Sequence, residues 1–151
     1  MPTKKILFCT DFSDNSLPAR DLAIEFATAF DAELHVLHVI SAHFRTYPVY
    51  EIMVPVDAEL LEEQIQEGAK NQLEIIAEEC RKQVKEVNTS FATGTPAVEI
   101  VRYAEEESID LIVMGTHGWT GFKHLVLGST AENVVRTASC PVLTVRSEVS
   151  Q

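Results

Sequence analysis

Two hydrophobic periods alternate along this chain, and their order restricts the fold more than any other feature of the sequence. Short apolar runs, typical of buried strands, are followed by segments in which apolar residues recur three or four positions apart, as on one helix face. These periods predict strands at 6–9, 34–40, 87–92, 111–114 and 142–145 and helices over 19–30, 58–85, 96–104 and 131–138. The order βα-βα-βα-βα-β predicts an α/β fold, with a mainly parallel sheet covered by helices on both faces.

A sheet of this kind places its ligand sites at the carboxyl ends of the strands, where the strand order reverses. The candidate strand tips are Thr10-Asp11, Val39-Ile40, 92–94 and Met114-Gly115. The chain has 151 residues, the size of one ordinary domain, and shows no internal repeat and no interdomain linker. We therefore expect residues 1–151 to form a single domain with its ligand site at this edge of the sheet.

The net charge of −11 restricts the classes of partner. A surface with this excess of acids repels phosphate backbones and acidic lipid head groups, so neither nucleic-acid binding nor membrane insertion is expected. Nine acids and one base lie within 51–80, a pattern typical of a solvated helix face, whereas 115–146 carries a net charge of +2. This second stretch is the part of the chain best suited to a polyanion.

Targeting segments and metal-binding patterns are not apparent. The apolar runs are far shorter than the about 20 residues of a membrane span, and the N-terminal run is too short for a secretory signal.

Cys9, Cys80 and Cys140 are far apart without a Cys-x-x-Cys pair, so each is expected to be a small buried hydrophobe in a reducing compartment. His35 and His38 would point to opposite faces of a strand, which argues against a shared metal. We expect a cytoplasmic protein.

A glycine-rich loop after the fourth predicted strand is the strongest functional signal. Four of the six glycines lie within 115–130, where they allow main-chain N–H groups to approach a ligand closely. Gly128-Ser129-Thr130 leads into the last predicted helix, whose N-terminus offers unpaired N–H groups and a partial positive charge to phosphate oxygens. The alternative for the serine is a capping box, since Ser129 and Glu132 have the S-x-x-E spacing. Capping does not account for the glycines, so phosphate binding is the favoured interpretation.

Two better-known phosphate motifs are absent from the sequence. No G-x-x-x-x-G-K-[ST] occurs, which excludes a P-loop NTPase. The turn after the first strand, at 10–14, lacks G-x-G-x-x-G, so a Rossmann dinucleotide site is not supported.

The spacing Gly115-x-x-Gly118, nine residues, then Gly128-Ser129 resembles the G-x2-G-x9-G-[ST] nucleotide motif of the universal stress protein family. The resemblance extends over the whole chain and includes the segments 6–13, 37–40, 127–134 and 140–145. It implies a doubly wound, five-stranded parallel sheet of order 3-2-1-4-5, with the switch point between strands one and four. It also points to the branch of the family that binds ATP.

The resemblance further implies roles for individual residues. Asp11 would bind the adenine–ribose end and the backbone of Val39 would read the adenine edge, while the glycines and the 128–130 segment would hold ribose and phosphates. His117 lies inside the motif at a non-glycine position. The predicted nucleotide site comprises Thr10, Asp11, Val39, Met114, Gly115, His117, Gly118, Gly128, Ser129 and Thr130. The expected ligand is ATP, or ADP or AMP, and Asp11 is placed to help hold Mg²⁺ beside the phosphates.

Three functions are compatible with this site. The favoured one is a regulatory, nucleotide-binding stress-response module, which would have an unidentified protein partner. A slow or partner-activated ATPase or adenylate-transferring enzyme is the second, although only Asp11, His117 and Lys123 are available for catalysis and no spacing assigns them roles. A structural dimer with an empty cleft is the third. We expect a homodimer formed through Val142, Leu143, Thr144 and Val145, because this apolar last strand would be a sheet edge.

Overall fold

A single parallel sheet forms the centre of the fold. The computed structural model describes residues 2–41, 57–117 and 127–147. The strands are β1 (Lys5–Cys9), β2 (Glu33–Ser41), β3 (Val87–Gly94), β4 (Leu111–Gly115) and β5 (Val142–Val145). They are hydrogen-bonded in the order β3-β2-β1-β4-β5, and every neighbouring pair is parallel. The predicted fold class and strand order are confirmed.

Within the described residues, four helices cover the two faces of the sheet. They are α1 (Leu17–Phe30), α2 (Ala58–Arg81), α3 (Pro96–Glu106) and α4 (Ser129–Thr137), and a short 3-10 turn, Asp14–Ser16, precedes α1. Successive strand residues point to opposite faces, so Ile6 and Phe8 pack with α1 and α2, while Leu7 packs with α3 and α4. Both faces of β1 are therefore buried, which explains its continuous apolar run.

Local sequence signals explain where the helices begin and end. Asp57 caps α2, since its carboxylate accepts hydrogen bonds from the N–H groups of Glu59 and Leu60. Helix α1 ends at Phe30, and its C-cap residue Asp31 adopts the left-handed conformation with φ of 51°. Helix α2 stops at Arg81, four residues before the predicted end, because Val84 reaches the core from the turn that follows. Val84 matches the apolar spacing of the helix because it is buried, although it lies beyond the last helical residue.

The expectation that each cysteine is buried is confirmed for Cys9 and Cys80 but not for Cys140. All three are free; Cys9 and Cys80 are buried and Cys140 is partly exposed. Burial raises the pKa of the Cys80 thiol to about 11 and also raises the pKa of Cys9 and Cys140. Within the described ranges, no helix combines the length and apolarity that a membrane span requires.

Candidate functional site

A cavity opens at the carboxyl ends of β1 and β4, at the point where the chain connections leave the sheet in opposite directions. Its volume is about 220 Å³. The residues around it come from the C-terminal parts of β1, β2 and β4, from the 3-10 turn before α1 and from the N-terminal parts of α3 and α4. They are Cys9, Thr10, Asp11, Ser16, Leu37, Val39, Pro96, Ile100, Met114, Gly115, Thr116, His117, Gly128, Ser129, Thr130 and Ala131.

The structure brings nine of the ten predicted site residues to this cavity, and the tenth, Gly118, lies outside the described residues. That these residues bind a nucleotide stays a prediction. The sequence reasoning missed the wall formed by Pro96 and Ile100. Both residues lie in the helix predicted over 96–104, and nothing in their local pattern shows that α3 packs beside α4 at the cavity.

A directed chain of hydrogen bonds shapes the turn between β1 and α1. The N–H of Phe12 donates to Oγ1 of Thr10 at 3.0 Å, and the Ser16 hydroxyl donates to the carbonyl oxygen of Ser13 at 2.8 Å. Because the Ser16 proton is thus committed, the Thr10 hydroxyl is the donor in the 3.1 Å contact between Thr10 and Ser16. Thr10 is buried, with 6% of its surface exposed, and its hydroxyl links both ends of the turn.

Asp11 supplies the acidic group of the cavity wall. Its Oδ1 accepts hydrogen bonds from the backbone N–H of Ser13 at 2.9 Å and from the Ser13 hydroxyl. These bonds stabilise the carboxylate and fix the side chain in an Asx turn. Among the described residues that line the cavity, Asp11 is the one acid, and neither lysine nor arginine is present. A negatively charged ligand would therefore depend on N–H and hydroxyl donors from the same wall.

Those donors lie at the N-terminus of α4. Gly128 is the N-cap residue, and Ser129, Thr130 and Ala131 form the first helical turn and line the cavity. First-turn N–H groups have no partner within their own helix, and they carry the positive end of the helix dipole. The arrangement is a ready site for a phosphate group.

The capping-box alternative for Ser129 is wrong. Ser129 is the first residue of α4 and not its cap, and the helix has no side-chain cap hydrogen bond. Glu132, the other member of the proposed box, instead pairs with Arg136 one turn later at 2.7 Å. The Ser129 hydroxyl is exposed at the cavity and does not close the helix end.

His117 contributes a buried polar atom to the same wall. Its Nδ1 lies 3.0 Å from the hydroxyl oxygen of Thr116. Its Nε2 is buried, and no hydrogen-bond partner reaches it from the residues that the structure describes. A buried nitrogen without a partner carries a desolvation cost, which a ligand group at hydrogen-bond distance would remove.

The strand β2 extends beyond the end of β1 and exposes a backbone edge. The N–H of Thr10 donates to the carbonyl oxygen of Leu37 at 3.0 Å, so the backbone groups of Leu37 face β1. Backbone groups alternate sides along a strand in a sheet, so the N–H and C=O of Val39 point the same way. The pairing of β1 with β2 ends at Leu37, and Val39 lines the cavity. One donor and one acceptor are thus offered side by side.

The two histidines of β2 lie on opposite faces, as predicted. His35 is buried between Glu33 and the Tyr103 hydroxyl, each 2.7 Å from a ring nitrogen. His38 stacks on Phe12, with ring centroids 4.0 Å apart. Across the described ranges, no group of three or more His, Cys, Asp or Glu residues is arranged to hold a metal.

Comparison with known proteins agrees with this architecture. Residues 2–146 match the family model described as the universal stress protein family. The chain belongs to that family. The sheet order β3-β2-β1-β4-β5 and the helices around the sheet match the fold of this family.

Relatives within the family cover almost the whole chain. The universal stress protein MJ0531 of Methanocaldococcus jannaschii is 38% identical over 143 residues, which are 95% of this chain and 82% of that protein. The solved structure of MJ0577, a universal stress protein of the same organism, is 35% identical with a TM-score of 0.79, and the match covers 99% of this chain and 100% of that one. A universal stress protein from Archaeoglobus fulgidus, solved in complex with dAMP, shares the fold at 23% identity, a TM-score of 0.68 and coverage of 97% and 100%.

Proposed function

We propose that this protein binds an adenine nucleotide, preferably ATP, in the cavity between β1 and β4 and acts as a regulatory stress-response module. The observation that carries the proposal is the position of α4. Its first-turn residues Ser129, Thr130 and Ala131 line the cavity, as do Met114 and Gly115 at the end of β4. A phosphate group placed there would meet backbone N–H groups, the helix dipole and two hydroxyls.

The part of the cavity lined by β2, β4 and α3 suits the base and ribose. The N–H and C=O of Val39 extend past β1 and are matched to a base edge that carries one acceptor and one donor, as adenine does. Leu37, Ile100 and Met114 add apolar surface, against which a base would be desolvated. A universal stress protein from Archaeoglobus fulgidus that shares only the fold with this chain was solved in complex with dAMP, which supports the choice of an adenine nucleotide.

Two details of the wall fit an ATP phosphate chain. The buried Nε2 of His117 has no partner within the described part of the chain and belongs to a residue that lines the cavity. Asp11 supplies one carboxylate, and Mg²⁺ is commonly held by one or two carboxylates together with phosphate oxygens. Bound ATP would bring those oxygens and their charge, and Asp11 is the residue that would share the metal with them.

The same wall supports binding more than efficient hydrolysis. A fast ATPase needs a water-positioning group, a cation at the transferred phosphoryl group and a metal anchor. The described lining offers Asp11 and His117, and Lys123 lies outside the described residues. Because no spacing assigns these three residues catalytic roles, we expect hydrolysis to be weak at most. This favours a nucleotide-dependent change in the protein's affinity for an unidentified protein partner.

We also propose a homodimer formed through β5. The carbonyl oxygen of Pro141 accepts a hydrogen bond from the N–H of Ile112, and that of Val145 accepts one from the N–H of Thr116. The backbone groups of Pro141 and Val145 therefore face β4. The alternation of a strand then directs the backbone N–H and C=O groups of Val142 and Thr144 outward, at the edge of the sheet. A second copy related by a two-fold axis would satisfy the same groups on both edges. We further propose a cytoplasmic location, because all three cysteines are free and the cytoplasm keeps cysteines reduced.

Isothermal titration calorimetry on nucleotide-free protein tests the proposal. Mg·ATP, ADP, AMP and Mg·GTP would be titrated separately, after mass spectrometry has shown that no nucleotide co-purifies. We expect binding of the adenine nucleotides, strongest for ATP, and at about 100 times Kd a stabilisation of about 2.7 kcal/mol. That corresponds to a rise of roughly 5–10 °C in Tm. Absence of heat and of a thermal shift with every adenine nucleotide would contradict the proposal.

A further inference from the structure

The backbone conformation of Phe12 is unusual for its place in the fold. Three non-glycine residues in the described ranges have positive φ: Phe12 (67°), Asp31 (51°) and Ser108 (55°). Asp31 and Ser108 follow the ends of α1 and α3, where a left-handed residue commonly closes a helix. Phe12 has no helix before it, and a bulky side chain disfavours this conformation. Contacts of Phe12 itself must hold it there.

The Phe12 side chain packs against the hydrophobic core, and two further contacts come from Thr10 and His38. The N–H of Phe12 donates to the Thr10 hydroxyl oxygen, and the Phe12 ring stacks on the His38 imidazole with 25° between the ring planes. The same imidazole bonds through Nδ1 to the carbonyl oxygen of Thr10 at 2.8 Å. A carbonyl oxygen only accepts hydrogen bonds, so Nδ1 of His38 carries the proton. Thr10, Phe12 and His38 thus form a closed arrangement behind the tip of β1.

This arrangement controls the peptide from which Asp11 projects. The Thr10 carbonyl belongs to the peptide bond that joins Thr10 to Asp11, so the His38 hydrogen bond fixes the orientation of that peptide plane. His38 also precedes Val39 on β2, and Val39 lines the cavity while the His38 side chain lies on the opposite face. The two rings therefore connect the base side of the cavity to its acidic side without lining the cavity themselves.

We propose that His38 is a positioning residue for nucleotide binding, which acts through its hydrogen bond to the Thr10 carbonyl and its stack on Phe12 to place Asp11 in the cavity. The inference rests on the proposed function, because it assigns a support to that same site. It predicts that the aromatic ring and the N–H donor of the imidazole contribute separately to the placement of Asp11. The donor sets the Asp11 peptide, and the ring keeps Phe12 in the left-handed conformation.

Two substitutions of His38 separate these properties. His38→Phe keeps an aromatic ring against Phe12 and removes the donor. His38→Asn keeps an N–H donor at the position of Nδ1 and removes the ring. One readout is amide hydrogen exchange of Phe12 and Ser13 in the protein without nucleotide, with the amide of Leu34 in the core as a control for global stability. The other is the affinity for Mg·ATP by titration calorimetry.

We expect His38→Phe to speed exchange at Phe12 and Ser13, to leave the Leu34 amide unchanged and to weaken ATP binding roughly three- to tenfold. His38→Asn should recover most of that affinity. Equal affinity in His38→Phe and wild type would overturn the inference. A loss in His38→Asn as large as that in His38→Phe would also overturn it, since restoring the N–H donor would then restore no affinity. If wild-type protein binds no nucleotide, the proposed function fails and the positioning role fails with it, whereas the exchange rates still show whether His38 holds the turn.

Discussion

The amide nitrogen of Gly128 lies 2.7 Å from the carbonyl oxygen of Thr116, and a Cβ built on Gly128 would lie 2.8 Å from that same oxygen. This close approach joins the start of α4 to the end of β4, and it leaves no space for a side chain. Gly128 has φ of −60°, so the requirement for glycine is steric and not conformational. The glycine is thus needed by the protein's own packing, in addition to any need of a ligand.

Gly128→Ala should therefore destabilise the protein even without nucleotide. The Thr116 carbonyl is backbone and has to shift, at a cost of about 1–3 kcal/mol. Gly68→Ala is the matched control, because Gly68 lies within α2 with nothing within 4 Å of a Cβ. It should stabilise by about 0.5–1 kcal/mol through helix propensity. Urea unfolding of both variants checks this, and an unchanged midpoint for Gly128→Ala would contradict the packing argument.

Ser129→Ala is the cleaner probe of phosphate binding. Because Ser129 does not cap α4, its loss should change the free energy of unfolding by less than about 0.5 kcal/mol. Loss of one hydrogen bond to a phosphate oxygen should weaken ATP binding roughly three- to tenfold. Ser129→Thr keeps a hydroxyl and should bind ATP nearly as well as wild type. Calorimetric titration of the three proteins decides, and equal affinity for Ser129→Ala would place the phosphates elsewhere.

The stability of the fold should fall on mild acidification, in part because of His38. Burial lowers the pKa of His38 below its ordinary value of 6.5, against the opposing effects of the Thr10 carbonyl and Asp11. As pH falls through 6.5 the unfolded chain binds a proton that the folded protein still excludes, so stability is lost below that pH until the folded pKa is reached.

His38→Asn, which cannot titrate, isolates this effect. As the pH falls from 7.5 to about 5.5, the free energy of unfolding should decrease more for wild type than for His38→Asn. Urea unfolding at each pH measures the difference, and NMR of the imidazole protons gives the pKa directly. A difference independent of pH, or a His38 pKa above 6.5, would refute this assignment.

The proposed dimer is tested best at Thr144. Leu143 and Val145 pack on the protein's own core, so changing either would disturb the subunit itself. Thr144 directs its N–H away from β4, and Thr144→Pro removes that donor while the hydrogen bonds to β4 remain. We expect Thr144→Pro to be a folded monomer and wild type a dimer by light scattering at micromolar concentration. A monomeric wild type would contradict the dimer.

Much of the fold followed from local pattern, because both-face burial leaves continuous apolar runs such as 6–9 and 111–114. The sequence predicts those residues of the candidate site that lie at strand ends or next to glycines. Pro96, Ile100 and the Phe12–His38 stack were not predicted, since each depends on contacts between elements distant in sequence. The cap of α4 was predicted one residue too late, because the bond from Gly128 to Thr116 is a tertiary contact with no local signature.

A titration of nitrogen-15-labelled, nucleotide-free protein with Mg·ATP, followed by amide NMR, tests the central claim most directly. It reports both whether ATP binds and which backbone N–H groups it meets. We predict saturable shifts that are largest at Ser129, Thr130, Ala131 and Val39, with the amides of the buried strand segment 6–8 little affected. Unchanged spectra at millimolar ATP, or shifts confined to residues away from α4 and β2, would contradict nucleotide binding in this cavity.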